Sequence, residues 1–297
     1  MKPSFDIPQT MLNNEDKFKD PFFKRFTLRH ADWPIKLTDK IQKNYKFPTF
    51  YGDVTCAMAI CFCSYNRAKD IVQETLGKKV YPVSMLKGRA IVAFSCYEYK
   101  NVMNINPYNE IAIAIPILVN QKIKVPVLPM VLKTFKHFGY FIAGMPVTSY
   151  ENTLRGHKIW SLPKVTHEIE MIHTDEMCTT IAKDSDGKEY LTVKVPKKGK
   201  KQEFDETGYL YSRHNGKIIR SKTCFKATFN VNTYFSHLFK KDVEGNFIEI
   251  GNSKEAEYLN YLDIEPHPFQ FRYAEHMNSC FDLPDENPPS WLKKLND

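Results

Sequence analysis

The segment Glu110–Val119, EIAIAIPILV, leaves the chain few ways to fold. After its first residue it is apolar at odd and even positions alike, so as a strand it has no face to give to water. Its apolar part, Ile111–Val119, is far shorter than the roughly 20 residues a membrane helix needs. The segment is predicted to be a central strand covered on both sides. Glu110 at its head is conspicuous there, although a strand-end acid is ordinarily a solvated one.

The neighbouring segments are also strand-like. Val54–Cys63 is rich in β-branched and aromatic residues. Ala90–Tyr99 alternates, with Ile91, Ala93, Ser95, Tyr97 and Tyr99 on one face and Val92, Phe94, Cys96 and Glu98 on the other. Phe138–Val147 follows. Further on, Val165–His173 is predicted to pair with Met177–Lys183, and Asp184–Gly187 turns into Glu189–Val195. Asn215-Gly216 marks a hairpin between Tyr209–Arg213 and Lys217–Arg220. Thr223–Phe235 contains another strand. The main helical stripe is Ala68, Ile71, Val72 and Thr75 within Tyr65–Leu76, closed by Gly77. Many strands at hairpin spacing with few helices predict a mainly β (α+β) fold, a closed or sandwiched antiparallel sheet. Regular βα alternation and a glycine-rich phosphate loop are missing, which argues against a dinucleotide-binding fold.

The sequence divides into an N-terminal extension at 1–48, a β domain at 49–264 and a proline-rich, polar tail at 265–297. The extension carries scattered aromatics such as Phe22, Phe23, Phe26 and Trp33, and is predicted to wrap the domain or meet a partner subunit. With 42% hydrophobic and 26% charged residues, the composition is that of an ordinary globular protein. The net charge of +8 is spread over the chain. Only Lys197, Lys198, Lys200 and Lys201 cluster, at an expected loop tip, which does not make a nucleic-acid surface. Seven cysteines, an odd number, and a start without a secretory pattern predict free thiols in the cytoplasm, with no membrane segment. Cys61 and Cys63 share a strand face without a partner motif, so they are read as core rather than metal ligands.

The stretch Tyr150–Val165 is a helix, a sharp stop and a strand. Ser149 caps the helix and Glu151 sits in its positive first turn. Pro163 bars helix at Leu162. Lys164 is thereby held on a stiff turn, with Trp160, Leu162, Pro163 and Val165 as apolar neighbours. A desolvated lysine is penalised in its charged form, and a neutral amine can attack a ketone to form a Schiff base.

Two motifs add to this reading. The run GHKIWSLPK, through Gly156, Pro163 and Lys164, resembles the signature of the acetoacetate decarboxylase family. Glu110, six residues before Pro116, resembles that family's strand-opening glutamate. The resemblance implies a cone-shaped antiparallel β-barrel or double-layered sandwich with a few short helices, commonly in a homo-oligomer. It implies a lyase in which Lys164 forms an imine with a small oxo acid and Glu110 moves protons or orients the carbinolamine. The imine supplies the electron sink, so neither metal nor organic cofactor is needed. The sequence departs from the family where a second lysine is usual, here Val165. It also has no arginine between residues 30 and 66, so the usual carboxylate partner is lost. An aldolase or dehydratase working through the same imine, and a small-molecule-binding barrel without turnover, are the alternatives.

Overall fold

In the computed structural model, residues 1–120, 137–240 and 243–296 are described. In chain order the principal strands are β1 (Thr49–Ser64), β2 (Arg89–Val102), β3 (Tyr108–Val119), β4 (Phe138–Val147), β5 (Lys164–Thr166), β6 (Glu168–His173), β7 (Met177–Lys183), β8 (Glu189–Pro196), β9 (Lys200–His214), β10 (Lys217–Thr233), β11 (Ile248–Ile250) and β12 (Gln270–Pro284). Seven of them close a ring in the order β4-β9-β10-β12-β1-β2-β3, and β3 pairs with β4 to complete it. A second sheet, β6-β7-β8-β11, packs on its outside.

The apolar strand lies where its composition requires. Every residue of β3 is buried. Its odd positions, Ile111, Ile113 and Ile115, join a cluster with the second sheet and with helix α1 (Tyr65–Leu76). That helix buries Ala68, Val72 and Leu76, of which Val72 and Leu76 contribute about 1.5–3 kcal/mol each. It ends at Gly77, whose φ of 97° suits only glycine well. The even positions, Tyr108, Ala112 and Ala114, join a different cluster that draws on all seven ring strands and fills the barrel. Glu110 shares this inner face by strand alternation.

The barrel is mixed rather than wholly antiparallel. Between β4 and β5 the chain passes through a helix and returns along the same edge, so β5 lies parallel to β4, as does β9. A hairpin cannot make a parallel pair; a crossover must. The hairpin at Asn215-Gly216 is longer than its local signal, pairing β9 with β10 along their length. The predicted strand Val165–His173 is interrupted at His167 and serves two sheets, as β5 and β6.

The expected tail at 265–297 is corrected. Strand β12 within it pairs with β10 on one side and β1 on the other, inside the ring. Its period is broken by a bulge between Ala274 and Met277. That slip hides the alternation from a reading of the sequence. The extension at 1–48 wraps the barrel. Phe18, Phe22 and Phe23 pack on Phe50, Cys224 and Cys280, with ring centroids of Phe23 and Phe50 4.8 Å apart. Near its start, Ser4 bonds through its backbone to Thr148 and Tyr150. None of the helices among the described residues is long and apolar enough to cross a membrane.

Candidate active site

The signature stretch folds as a helix that widens before it stops. Helix α2 (Tyr150–Arg155) opens with the Asn152 amide donating to Ser149 Oγ at 3.3 Å. Its next turn, Gly156–Trp160, is a π-helix, a form often found at functional sites. Ser161 takes the left-handed conformation, and the Leu162 amide closes back onto the Gly156 carbonyl at 3.1 Å. Pro163 then forces the exit, and Lys164 is the first residue of β5. His157 Nε2 donates to the Lys164 carbonyl at 2.7 Å, fixing the backbone beneath the amine.

Lys164 and Glu110 come together across one intervening strand. Lys164 is paired with Met145 of β4, and Glu110 with Val147 of the same strand, on its other edge. Their side chains meet over β4, with Lys164 Nζ 2.6 Å from Glu110 Oε2. Both are buried. The second carboxylate oxygen accepts from the Tyr99 hydroxyl at 3.1 Å. The Tyr108 ring lies 5.8 Å from Lys164 Nζ, and Tyr51 packs on Tyr99 with centroids 4.7 Å apart. Burial pushes the Tyr51 phenol up to about 12 and holds those of Tyr99 and Tyr108 well above the ordinary range. All three are neutral hydroxyls at physiological pH.

The amine is therefore not in the purely apolar setting expected from its neighbours in sequence. Val165 is 43% exposed, because adjacent residues of a strand face opposite ways. Trp160 and Leu162 do join the apolar interior. What faces Nζ is a carboxylate and an aromatic ring, from strands far away in sequence. The tyrosines went unrecognised as site residues. Two signals pointed to them: Tyr97 and Tyr99 share a face, and Tyr108 stands two residues before Glu110. Arg155, buried one residue before Gly156, was also missed.

Cys61 and Cys63 lie in the core shared with α1. Burial pushes the Cys63 thiol up to about 12 and that of Cys61 well above its ordinary range. Among the described residues no three His, Cys, Asp or Glu side chains are grouped to hold a metal ion.

Fold and site together define a closed mixed barrel with an amine and a carboxylate paired inside it. The family model for acetoacetate decarboxylase (ADC) matches residues 34–244, and the chain belongs to that family. Among solved structures, it is similar to an acetoacetate decarboxylase from Legionella pneumophila subsp. pneumophila str. Philadelphia 1, with 12% identity and a TM-score of 0.53, over 93% of this chain and 96% of that one. A second acetoacetate decarboxylase structure matches with 13% identity and a TM-score of 0.52, over 80% and 87%. The enduracididine biosynthesis enzyme MppR, complexed with the condensation product of pyruvate and imidazole 4-carboxaldehyde, matches with 9% identity and a TM-score of 0.52, over 80% and 89%. At such identities these likenesses speak for the fold alone. Comparison with curated proteins finds no match.

Proposed function

We propose that this protein is a Schiff-base enzyme acting on a small oxo acid, with acetoacetate-type decarboxylation as its reaction. The observation that carries this reading is the buried pair of Lys164 Nζ and Glu110 Oε2 at 2.6 Å. An ammonium cannot attack a carbonyl, and a carboxylate at hydrogen-bond distance can take its proton. Lys164, now neutral, adds to the ketone carbon, and the carbonyl oxygen receives a proton to give a carbinolamine. Loss of water leaves a protonated imine. The bond to the carboxylate carbon then breaks. Its electron pair moves into the imine, carbon dioxide departs, and an enamine remains. Protonation at carbon restores the iminium, and water releases the ketone and the lysine. Glu110 is the group placed to carry protons between these steps, and Tyr99 orients its carboxylate.

A second reading, aldol condensation or dehydration through the same imine, is favoured by the lack of an arginine between residues 30 and 66. The MppR likeness is compatible with it. The homo-oligomer implied by family membership is part of the proposal, and sedimentation velocity tests it.

The test of the main reading is reduction with borohydride in the presence of acetoacetate or pyruvate, followed by peptide mass mapping and an assay of carbon dioxide release. The expected result is a substrate-derived mass on Lys164. Labelling of another lysine with Lys164 untouched would overturn it. Labelling at Lys164 by pyruvate with no carbon dioxide from either acid would favour the second reading.

A further inference from the structure

An oxo acid brings a carboxylate into the barrel, and Lys164 already has Glu110 as its counter-charge. A second buried cation stands beside them. Arg155 is 1% exposed. Its guanidinium carries five donors. One reaches Asn152 Oδ1 and another Thr49 Oγ1, each at 2.9 Å, and both acceptors are neutral. Nε has no partner. Glu151, on the same helix, is committed elsewhere: it takes Lys43 Nζ at 2.8 Å and the Tyr45 hydroxyl. Among the described residues no carboxylate forms an ion pair with Arg155. The rings of Tyr45 and Trp160 flank the guanidinium, 4.4 and 5.7 Å from it. A charge buried without a counter-charge is strongly destabilising, so its retention calls for an anion from another source.

Arg155 is tied to the reaction centre on two sides. Thr49, its hydrogen-bond acceptor, shares a face of β1 with Tyr51 by strand alternation, and Tyr51 packs on Tyr99 beside Glu110. The next residue, Gly156, lies directly under the Lys164 side chain. A second hydroxyl lies in the same place: that of Tyr108 is buried, with the Tyr51 hydroxyl as its neighbour. Burial raises the phenols of Tyr51 and Tyr108, and the positive charge of Arg155 opposes that rise in both, so the guanidinium is close enough to act on them.

We propose that Arg155, with the Tyr108 hydroxyl, forms a carboxylate subsite that holds the acid group of an oxo acid whose ketone meets Lys164. The proposal rests on the Schiff-base reading for the second half of that statement only. The donors would hold a carboxylate whatever Lys164 does. The subsite makes the protein selective for acids over neutral ketones. It is supplied by the helix before Lys164, not by an early strand.

The test separates binding from chemistry. Calorimetric titration with butanoate and with butanamide compares a carboxylate with a neutral group of similar shape. The wild-type protein is expected to prefer butanoate. In Arg155→Met that preference should fall about thirtyfold or more, as on breaking a buried charge-assisted contact. Circular dichroism checks that the variant is folded. If it is not, Arg155→Lys serves: it keeps the charge but not the fork, and the preference should fall several-fold. No preference in the wild type, or an undiminished preference in a folded variant, would overturn the subsite. Borohydride trapping of butanone on the wild-type protein is the separate control. Failure there strikes the Schiff-base reading and leaves the titration result standing.

Discussion

Lys164 passes over Gly156 so closely that a Cβ at position 156 would stand 2.5 Å from Lys164 Cδ and 2.8 Å from Cγ. Gly156 has φ of −55°, so an alanine there is conformationally easy and only space forbids it. A free lysine would swing aside, but this one is held at its far end by Glu110. Gly156→Ala is therefore expected to displace the amine. A shift of about 1 Å at a reacting group can cost about 10²-fold in rate, while overpacking costs about 1–3 kcal/mol in stability. Rates of borohydride trapping and a thermal melt would measure both. Unaltered trapping would mean that the side chain moves without losing its position.

Breaking the buried pair should be felt in folding as well as in turnover. Glu110→Gln leaves an ammonium in the barrel without a counter-charge, a loss of about 3–5 kcal/mol. Turnover should fall about 10²–10⁴-fold, the usual contribution of one positioned acid or base. The double variant Glu110→Gln with Lys164→Met should recover much of the stability, since neither charge of the pair remains. Urea unfolding of the single and double variants is the measurement. A single variant as stable as the wild type would contradict a charged pair.

Tyr99→Phe removes only the hydroxyl that donates to Glu110 Oε1. A hydrogen bond to a charged group contributes about 1.5–3 kcal/mol, so activity should drop by about ten- to a hundredfold with the fold intact. The effect should vanish in a Glu110→Gln background, because the acceptor's charge is gone. If the two substitutions are simply additive in rate, Tyr99 does not act through Glu110.

The cysteines should separate by pH. Cys224 and Cys280 face each other on β10 and β12. Donation from the Cys280 thiol lowers Cys224 against the opposing effect of burial, while Cys280 itself is pushed up by the same contact. Burial pushes Cys63, Cys96 and Cys178 up to about 12. Alkylation by iodoacetamide with peptide mapping should show Cys224 reacting at lower pH than Cys63, Cys96 and Cys178. Because its folded value lies below the unfolded one, about 8.5, its contribution to stability is full above the unfolded value and is lost as pH falls through the folded value. A Cys224 midpoint near the unfolded value would refute this ordering, and Cys224→Ser should flatten the stability difference between pH 5 and pH 9.

Much of the architecture was legible because its signals are local. The double-sided apolar pattern of Ile111–Val119 and the stripe of Ala68 and Val72 need only near neighbours to be read. So does the stop at Pro163. The strand at Gln270–Pro284 was not legible, since its bulge shifts the period within the strand. Nor was the parallel pairing of β4 with β5 and β9, because alternation marks a strand and its faces without naming its neighbour.

Local chemistry already places Lys164 at the start of a strand behind a rigid turn, and Glu110 at the head of a strand with no wet face. Those are consequences of proline stereochemistry and of apolar residues avoiding water. The folded arrangement alone brings the two to 2.6 Å, 54 positions apart along the chain. It alone aimed Val165 away, turned Tyr99 towards the carboxylate and buried Arg155 without an ion pair among the described residues. These depend on which strands close the ring and in what register. That choice is made by hydrogen bonds and packing between distant segments, where one residue of slip would carry every side chain to the other face.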